Sequence, residues 1–183
     1  MAALAGMALV FPMVMLQQMI SAGSMGGGIS SAISRAIGAG DNEKANQLVM
    51  HALAISLGLG IVYSLIFLIW GREIFATIGG SGIALDEAMA YANVAFAGAI
   101  TIWLTNAFAS AIRGSGNMKT PSTVLMLVAI GQVVLGGTLG LGIGPFPPFG
   151  MAGVAAGQVI AYGFSAIYLG QYLRSDHSRV RLN

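Results

Sequence analysis

Four runs without a single Asp, Glu, Lys or Arg divide the chain: residues 1–34, 45–71, 88–112 and 120–173. A helix that crosses a bilayer needs about 20 apolar residues, so each of the first three runs fits one helix. The fourth is 54 residues long and fits two. Its turn is Gly144-Pro-Phe-Pro-Pro-Phe-Gly150, since three prolines between glycines cannot continue a helix. The pattern predicts spans at roughly 8–35, 44–70, 85–112, 120–143 and 150–173. Backbone in lipid must satisfy its hydrogen bonds internally, by helices or a closed barrel, and the alternation a barrel strand needs is missing. The expected fold is all-α, a polytopic membrane bundle of five transmembrane helices.

Composition supports this. Charged residues are 8% of the 183 and hydrophobic ones 56%, against about 25% charged in soluble domains. The placement of charge adds a direction. Arg35, Lys44, Arg113, Lys119, Arg174, Arg179 and Arg181 fall at alternate ends of the spans, and only Arg72 falls at the opposite ends. Lys and Arg mark cytoplasmic loops, so the expected C-terminus is cytoplasmic and the N-terminus outside, in a plasma or bacterial inner membrane. Residues 174–183 read as a basic cytoplasmic tail or linker, not a nucleic-acid patch. An outside start predicts a further helix upstream, so the chain reads as a fragment.

Local signals mark the helix ends. Asp41 and Glu43 are placed to cap and charge the start of the second helix, Asp86 and Glu87 that of the third, and Thr120-Pro121 that of the fourth. Among 27 glycines, the pairs Gly23/Gly27 and Gly153/Gly157 and the trio Gly136/Gly140/Gly144 are spaced by four, which lets helices approach closely in lipid. Gly26-Gly27-Gly28 is either packing surface or a flexing point. Gly38-Ala-Gly40-Asp41 and Gly114-Ser-Gly116-Asn117 form a short internal repeat, each closely followed by a lysine.

No catalytic set appears. All six acids sit at predicted membrane edges, the two histidines lack a ligand partner, cysteine is absent, and no phosphate-binding glycine loop is present. The chain reads as a non-enzyme without a bound cofactor. What remains is uncharged and polar. Gln17, Ser21, Ser24, Gly28 and Ser31 form one predicted stripe; Trp103, Asn106 and Ser110 a second; Gln132, Gly136 and Gly140 a third; Gln158, Tyr162 and Ser165 a fourth. Intramembrane polar groups bond between helices or face a watery cavity. Four such stripes favour a shared cavity, with Gln17, Ser21, Ser24, Asn106, Gln132, Gln158 and Tyr162 as its candidate lining.

Three segments resemble the multidrug and toxic compound extrusion family. Ile33-Ser-Arg35-Ala-Ile-Gly38-Ala-Gly40-Asp41-Asn-Glu-Lys-Ala45 is similar to the end of that family's second helix. Ala111-Ile-Arg113-Gly-Ser-Gly116-Asn-Met-Lys-Thr-Pro121 resembles the turn after its fourth, and Pro147-Pro-Phe-Gly150-Met-Ala-Gly153-Val-Ala-Ala-Gly157 the entry to its sixth. The resemblance implies one half of a two-lobe transporter, helices two to six of the N-terminal lobe. It also implies exchange of organic or cationic compounds for H⁺ or Na⁺, and partnership with a first helix and a second lobe. This chain departs from the family pattern in having Gln132 and Gly136 where the fifth helix often carries Asn and Asp. The alternatives are a lipid-linked oligosaccharide flippase of the same superfamily and a non-transporting membrane subunit.

Overall fold

The computed structural model describes residues 2–145 and 147–182, and every regular element among them is a helix. The first uncharged run forms a single rod of 37 residues: α1 (Ala2–Gln18), a π-helical segment Met19–Met25, and α2 (Gly26–Gly38). Then come α3 (Asn42–Thr77), α4 (Gly82–Ala97), α5 (Ala99–Gly114), α6 (Lys119–Leu141) and α7 (Gly150–Arg174). The proline-rich turn joins α6 to α7; its Phe146 lies outside the described residues. Taking α4 and α5 as one broken span, the chain passes through the bundle five times.

The third pass is not the single helix its sequence suggests. It bends by 48° between α4 and α5. Gly98 sits at the break, and a Cβ there would overlap the side chain of Val159 on α7. Helix α7 thus presses on bare backbone where the pass breaks. Thr101 restarts the helix, its N–H and its hydroxyl both donating to the Gly98 carbonyl, at 3.0 and 2.7 Å.

The π-helical turn changes which residues face inward. It bonds i to i+5 and so holds one residue more per turn than an α-helix. The buried face therefore steps from Gln17 and Ser21 to Gly26, Ile33 and Ala36. Ser24, Gly28 and Ser31, which an unbroken α-helix would align with Gln17, are exposed. The predicted stripe is split. Nor is the irregularity at Gly26-Gly27-Gly28, which is ordinary α-helix.

The two copies of the short repeat share one geometry. Gly40 and Gly116 have φ of 77° and 94°, the left-handed region that glycine enters without strain. In each, the next N–H reaches back five residues, Asp41 to the Ala36 carbonyl and Asn117 to that of Ile112, closing the preceding helix. The same residue opens the next one: Asp41 Oδ1 accepts from Lys44 N at 2.9 Å, and Asn117 Oδ1 from Thr120 N at 3.1 Å. The side chain that caps the start of α6 is thus that of Asn117 and not Thr120; it lies two residues before the first helical residue, Lys119, with Pro121 at the third helical position. The acids of the third pass do not cap either, because α4 begins at Gly82, four and five residues before Asp86 and Glu87. Asp86 pairs instead with Arg72 at 3.3 Å on the surface. Replacing Asp41 with alanine is expected to lower stability by about 1 kcal/mol, read as a lower melting temperature in detergent.

Close packing in lipid comes from small residues, and α6 and α7 show it. A Cβ on Gly157 would overlap the backbone of Gly136, and one on Gly153 would lie 2.6 Å from the Leu139 carbonyl. Gly26 and Gly114 do the same between α2 and α5, against Ser110 and the backbone of Ser30. The predicted contacts of Gly23, Gly27 and Gly144 are absent among the described residues: a Cβ on any of them meets none of their atoms within 4 Å. Between the helices lie two apolar cores. One joins Ile33, Val49, Ile112, Leu169 and Leu173; the other centres on Phe67, Phe75, Tyr91 and Phe96, with Phe67 stacked on Phe96 at 4.3 Å. The basic tail packs back over the first of these, burying Val180 and bonding Arg181 N to Asn46 Oδ1 at 2.8 Å.

Candidate functional site

A groove of about 890 Å³ opens between α1, α4, α6 and α7. Its walls are largely apolar, from Met7, Phe11, Val14, Met15, Met151 and Val154. Five polar side chains project among them: Gln18, Tyr91, Gln132, Gln158 and Tyr162; Glu87 stands among the lining residues as well. Few polar groups on an apolar wall is the usual make-up of a small-molecule site.

The α6–α7 glycine contact sets the depth of the amides. Gly136 packs on Gly157, so the antiparallel helices carry Gln132 about 4.5 Å, just under one helical turn, nearer the basic edge than Gln158. Both line the groove. Gln158 Oε1 accepts a hydrogen bond from the Tyr91 hydroxyl, which fixes the side chain; its NH₂ has no partner among the described residues. Gln132 is half-buried, with no side-chain hydrogen bond among the described residues. Its carbonyl and NH₂ are open to a ligand, which can use either a donor or an acceptor there.

Behind this wall runs a bonded relay. Asn106 Nδ2 donates to Ser21 Oγ at 2.8 Å and to Gln18 Oε1 at 3.0 Å. Gln18 Nε2 donates to the Tyr162 hydroxyl at 2.8 Å, and Thr105 Oγ1 to the Tyr162 carbonyl at 3.0 Å. Gln17 Nε2 reaches the Ala99 carbonyl at 3.3 Å, just past the α4–α5 bend. Buried amides left unpaired would cost about 1–3 kcal/mol each, so these bonds lock α1, α5 and α7 in one register.

The seven residues expected at a cavity therefore divide. Gln132, Gln158 and Tyr162 line the groove together. Gln17, Ser21 and Asn106 are buried behind it and spent on interhelical bonds. Ser24 is exposed, taken off the line of Gln17 and Ser21 by the π-helical segment, and is not among the residues lining the groove. Three groove residues had not been expected there: Gln18, Tyr91 and Glu87. Glu87 and Tyr91 stand four apart on α4 and so share a face, a spacing the sequence does show. Among the described residues, no group of His, Cys, Asp and Glu could hold a metal.

Known proteins place this arrangement. The MatE family model matches residues 1–138. The chain is 28% identical over 171 residues to the "FAD transporter" of Shewanella oneidensis, covering 93% of this chain and 37% of that protein. It is 29% identical over 172 residues to the "Probable multidrug resistance protein YoeA" of Bacillus subtilis, covering 94% of this chain and 37% of that one. It superposes with a TM-score of 0.92 and 30% identity on an inward-facing multidrug resistance MATE family transporter of the MOP superfamily, over 100% of this chain and 40% of that chain. The chain thus spans about two fifths of the proteins it matches. With 138 of its 183 residues under the family model and its whole helix order superposed on a solved transporter, the chain belongs to the MatE family of membrane transporters.

Proposed function

We propose that the chain forms helices two to six of the N-terminal lobe of an antiporter, and that the groove is its share of a site for organic compounds exported in exchange for H⁺ or Na⁺. The observation that carries this is the groove itself: about 890 Å³ of apolar wall holding one unbonded glutamine. A site of that kind accepts varied flat or apolar molecules by area, and uses one adaptable amide for orientation. Glu87, with no ion-pair partner within reach among the described residues, biases the groove toward neutral and positively charged cargo. The relatives named for FAD and for multidrug resistance fit an organic substrate. The test is efflux from proteoliposomes holding the native polypeptide that carries this chain: accumulation of an organic dye on the far side, driven by an imposed H⁺ or Na⁺ gradient, supports the reading. Absence of dye movement under either gradient, in folded protein, refutes it.

The orientation proposed is that of the basic edge in the cytoplasm, in a plasma or bacterial inner membrane. Five passes put residues 35–44, 113–119 and 174–181 at one end of the bundle, and Asn117 Nδ2 bonds the Tyr172 hydroxyl there at 2.9 Å. The chain has no native cysteine. Single cysteines at the exposed positions Asn42, Met118 and Arg179 are expected to resist an impermeant thiol reagent in intact cells and to react after lysis. Labelling of any of them from outside reverses the orientation.

A further inference from the structure

A second groove, of about 670 Å³, lies on the other flank of the α6–α7 pair. Glycine placement explains it. Toward the proline-rich turn, Gly136, Gly140, Gly153 and Gly157 hold the two backbones together. Gly131, facing Ala161 at 3.6 Å, is the last glycine of α6 on the way to Lys119. On α7 the remaining glycines, Gly163 and Gly170, face Thr101 and Phe108 of α5 instead. From Gly131 toward Lys119, Val128 and Val124 take the place of glycine on α6, and the groove forms a wedge between them and Phe164, Ser165 and Tyr168 of α7, with Lys119 at its mouth.

Polarity falls in steps down this wedge. Lys119 is exposed at the mouth, with no carboxylate in ion-pair reach among the described residues. It stands at the start of α6, where the helix dipole also favours an anion. The Thr120 hydroxyl accepts from Asn117 and keeps its own hydrogen to donate. Thr123 follows about 4.5 Å deeper. Ser165 Oγ, on the α7 wall, is buried without a hydrogen-bond partner among the described residues. Past these the lining is apolar, from Val128 and Leu135, with Leu127, Phe164 and Tyr168 on the rim, 58%, 69% and 54% exposed. The wedge from Lys119 to Gly131 rises about 18 Å, close to the ~15 Å of half a bilayer core.

We propose that this groove binds one anionic glycerophospholipid from the leaflet at the basic edge of the bundle. Its phosphate meets Lys119 and Thr120, its ester region Thr123, and one acyl chain fills the wedge as far as Gly131. Charge complementarity at the mouth selects the lipid's head, as basic pockets between transmembrane helices do for anionic lipids. The one-leaflet depth selects its chain. The inference rests on the chain spanning a membrane and not on what it transports.

Native mass spectrometry of the polypeptide carrying this chain, released from mixed phosphatidylglycerol and phosphatidylcholine bilayers, tests it. One retained phosphatidylglycerol is expected on the unmodified protein. Lys119→Glu should retain about 10-fold less, and Leu127→Trp, which fills the wedge without changing charge, should also lose it. Thr123→Trp repeats the block one helical turn nearer the mouth in case Leu127→Trp does not fold. Lys44→Glu, on the same edge but outside the groove, should retain lipid normally. Equal retention of phosphatidylcholine, unchanged retention in the Lys119 and blocking variants, or displacement by millimolar inorganic phosphate alone would each overturn the proposal. So would cross-linking of a Thr123→Cys variant to another polypeptide segment, since a protein would then cover the groove.

Discussion

Replacing Gly157 with leucine is expected to remove most of the folded protein. Any Cβ at this position would overlap the Gly136 backbone on α6, so the larger side chain cannot be absorbed by a rotamer change. The two helices must separate. Overpacking in a close-packed region costs about 1–3 kcal/mol, and a backbone-to-backbone contact belongs at the upper end. At about 2–4 °C per kcal/mol for a domain of this size, the melting temperature should fall by about 10 °C. Separation would also move Gln132 away from Gln158. The control is Gly27→Leu, in the same membrane and also in a helix, where a Cβ meets nothing within 4 Å. Fluorescence-detected size exclusion should give near-normal monodisperse yield for Gly27→Leu and a collapsed peak for Gly157→Leu. Equal profiles for the two variants would mean that the glycine contact does not hold the helix pair together.

That contrast also marks what the sequence can and cannot convey. Both positions belong to glycine pairs spaced by four, and among the described residues only one of the two pairs meets another helix. Spacing specifies a smooth stripe but not whether a neighbour uses it. The charge-free runs were legible because lipid excludes charge over a whole helix length, a constraint written in many residues at once. The repeat around Asp41 and Asn117 was legible for the opposite reason, since each turn is a local bond pattern among a few adjacent residues. The π-helical turn at Met19–Met25 was not legible. Its α-helical and π-helical forms share a composition, and packing against α5 separates them. One inserted residue was enough to send Ser24 outward and keep Ser21 on Asn106. The break at Gly98 likewise depends on Val159, 61 positions away in sequence.

Glu87 follows the same rule and leads to the sharpest functional expectation. By sequence it is an acid near a helix start, with an electrostatic task that would explain it fully. With α4 beginning at Gly82, it falls instead one turn before Tyr91, on the face that borders the groove. In the proposed site, where the resemblance implies an acid-bearing pattern that Gln132 and Gly136 do not supply, Glu87 is the carboxylate lining the groove among its described residues. A cation held about 4 Å away gains about 4 kcal/mol at an effective dielectric of 20 and about 1 kcal/mol in open water; a half-open groove lies between. Glu87→Gln is therefore expected to lower export of an organic monocation about 10- to 30-fold in kcat/KM, and to leave a neutral substrate of the same size within about twofold. Gln132→Leu should do the reverse: because its amide is unbonded, the change spares folding and shifts preference among neutral substrates toward those with fewer hydrogen-bonding groups. Efflux of matched cationic and neutral dyes from proteoliposomes, normalised to folded protein, separates the two. A Glu87→Gln variant that loses cationic and neutral transport together would make Glu87 a structural residue. One that loses neither would remove it from the site.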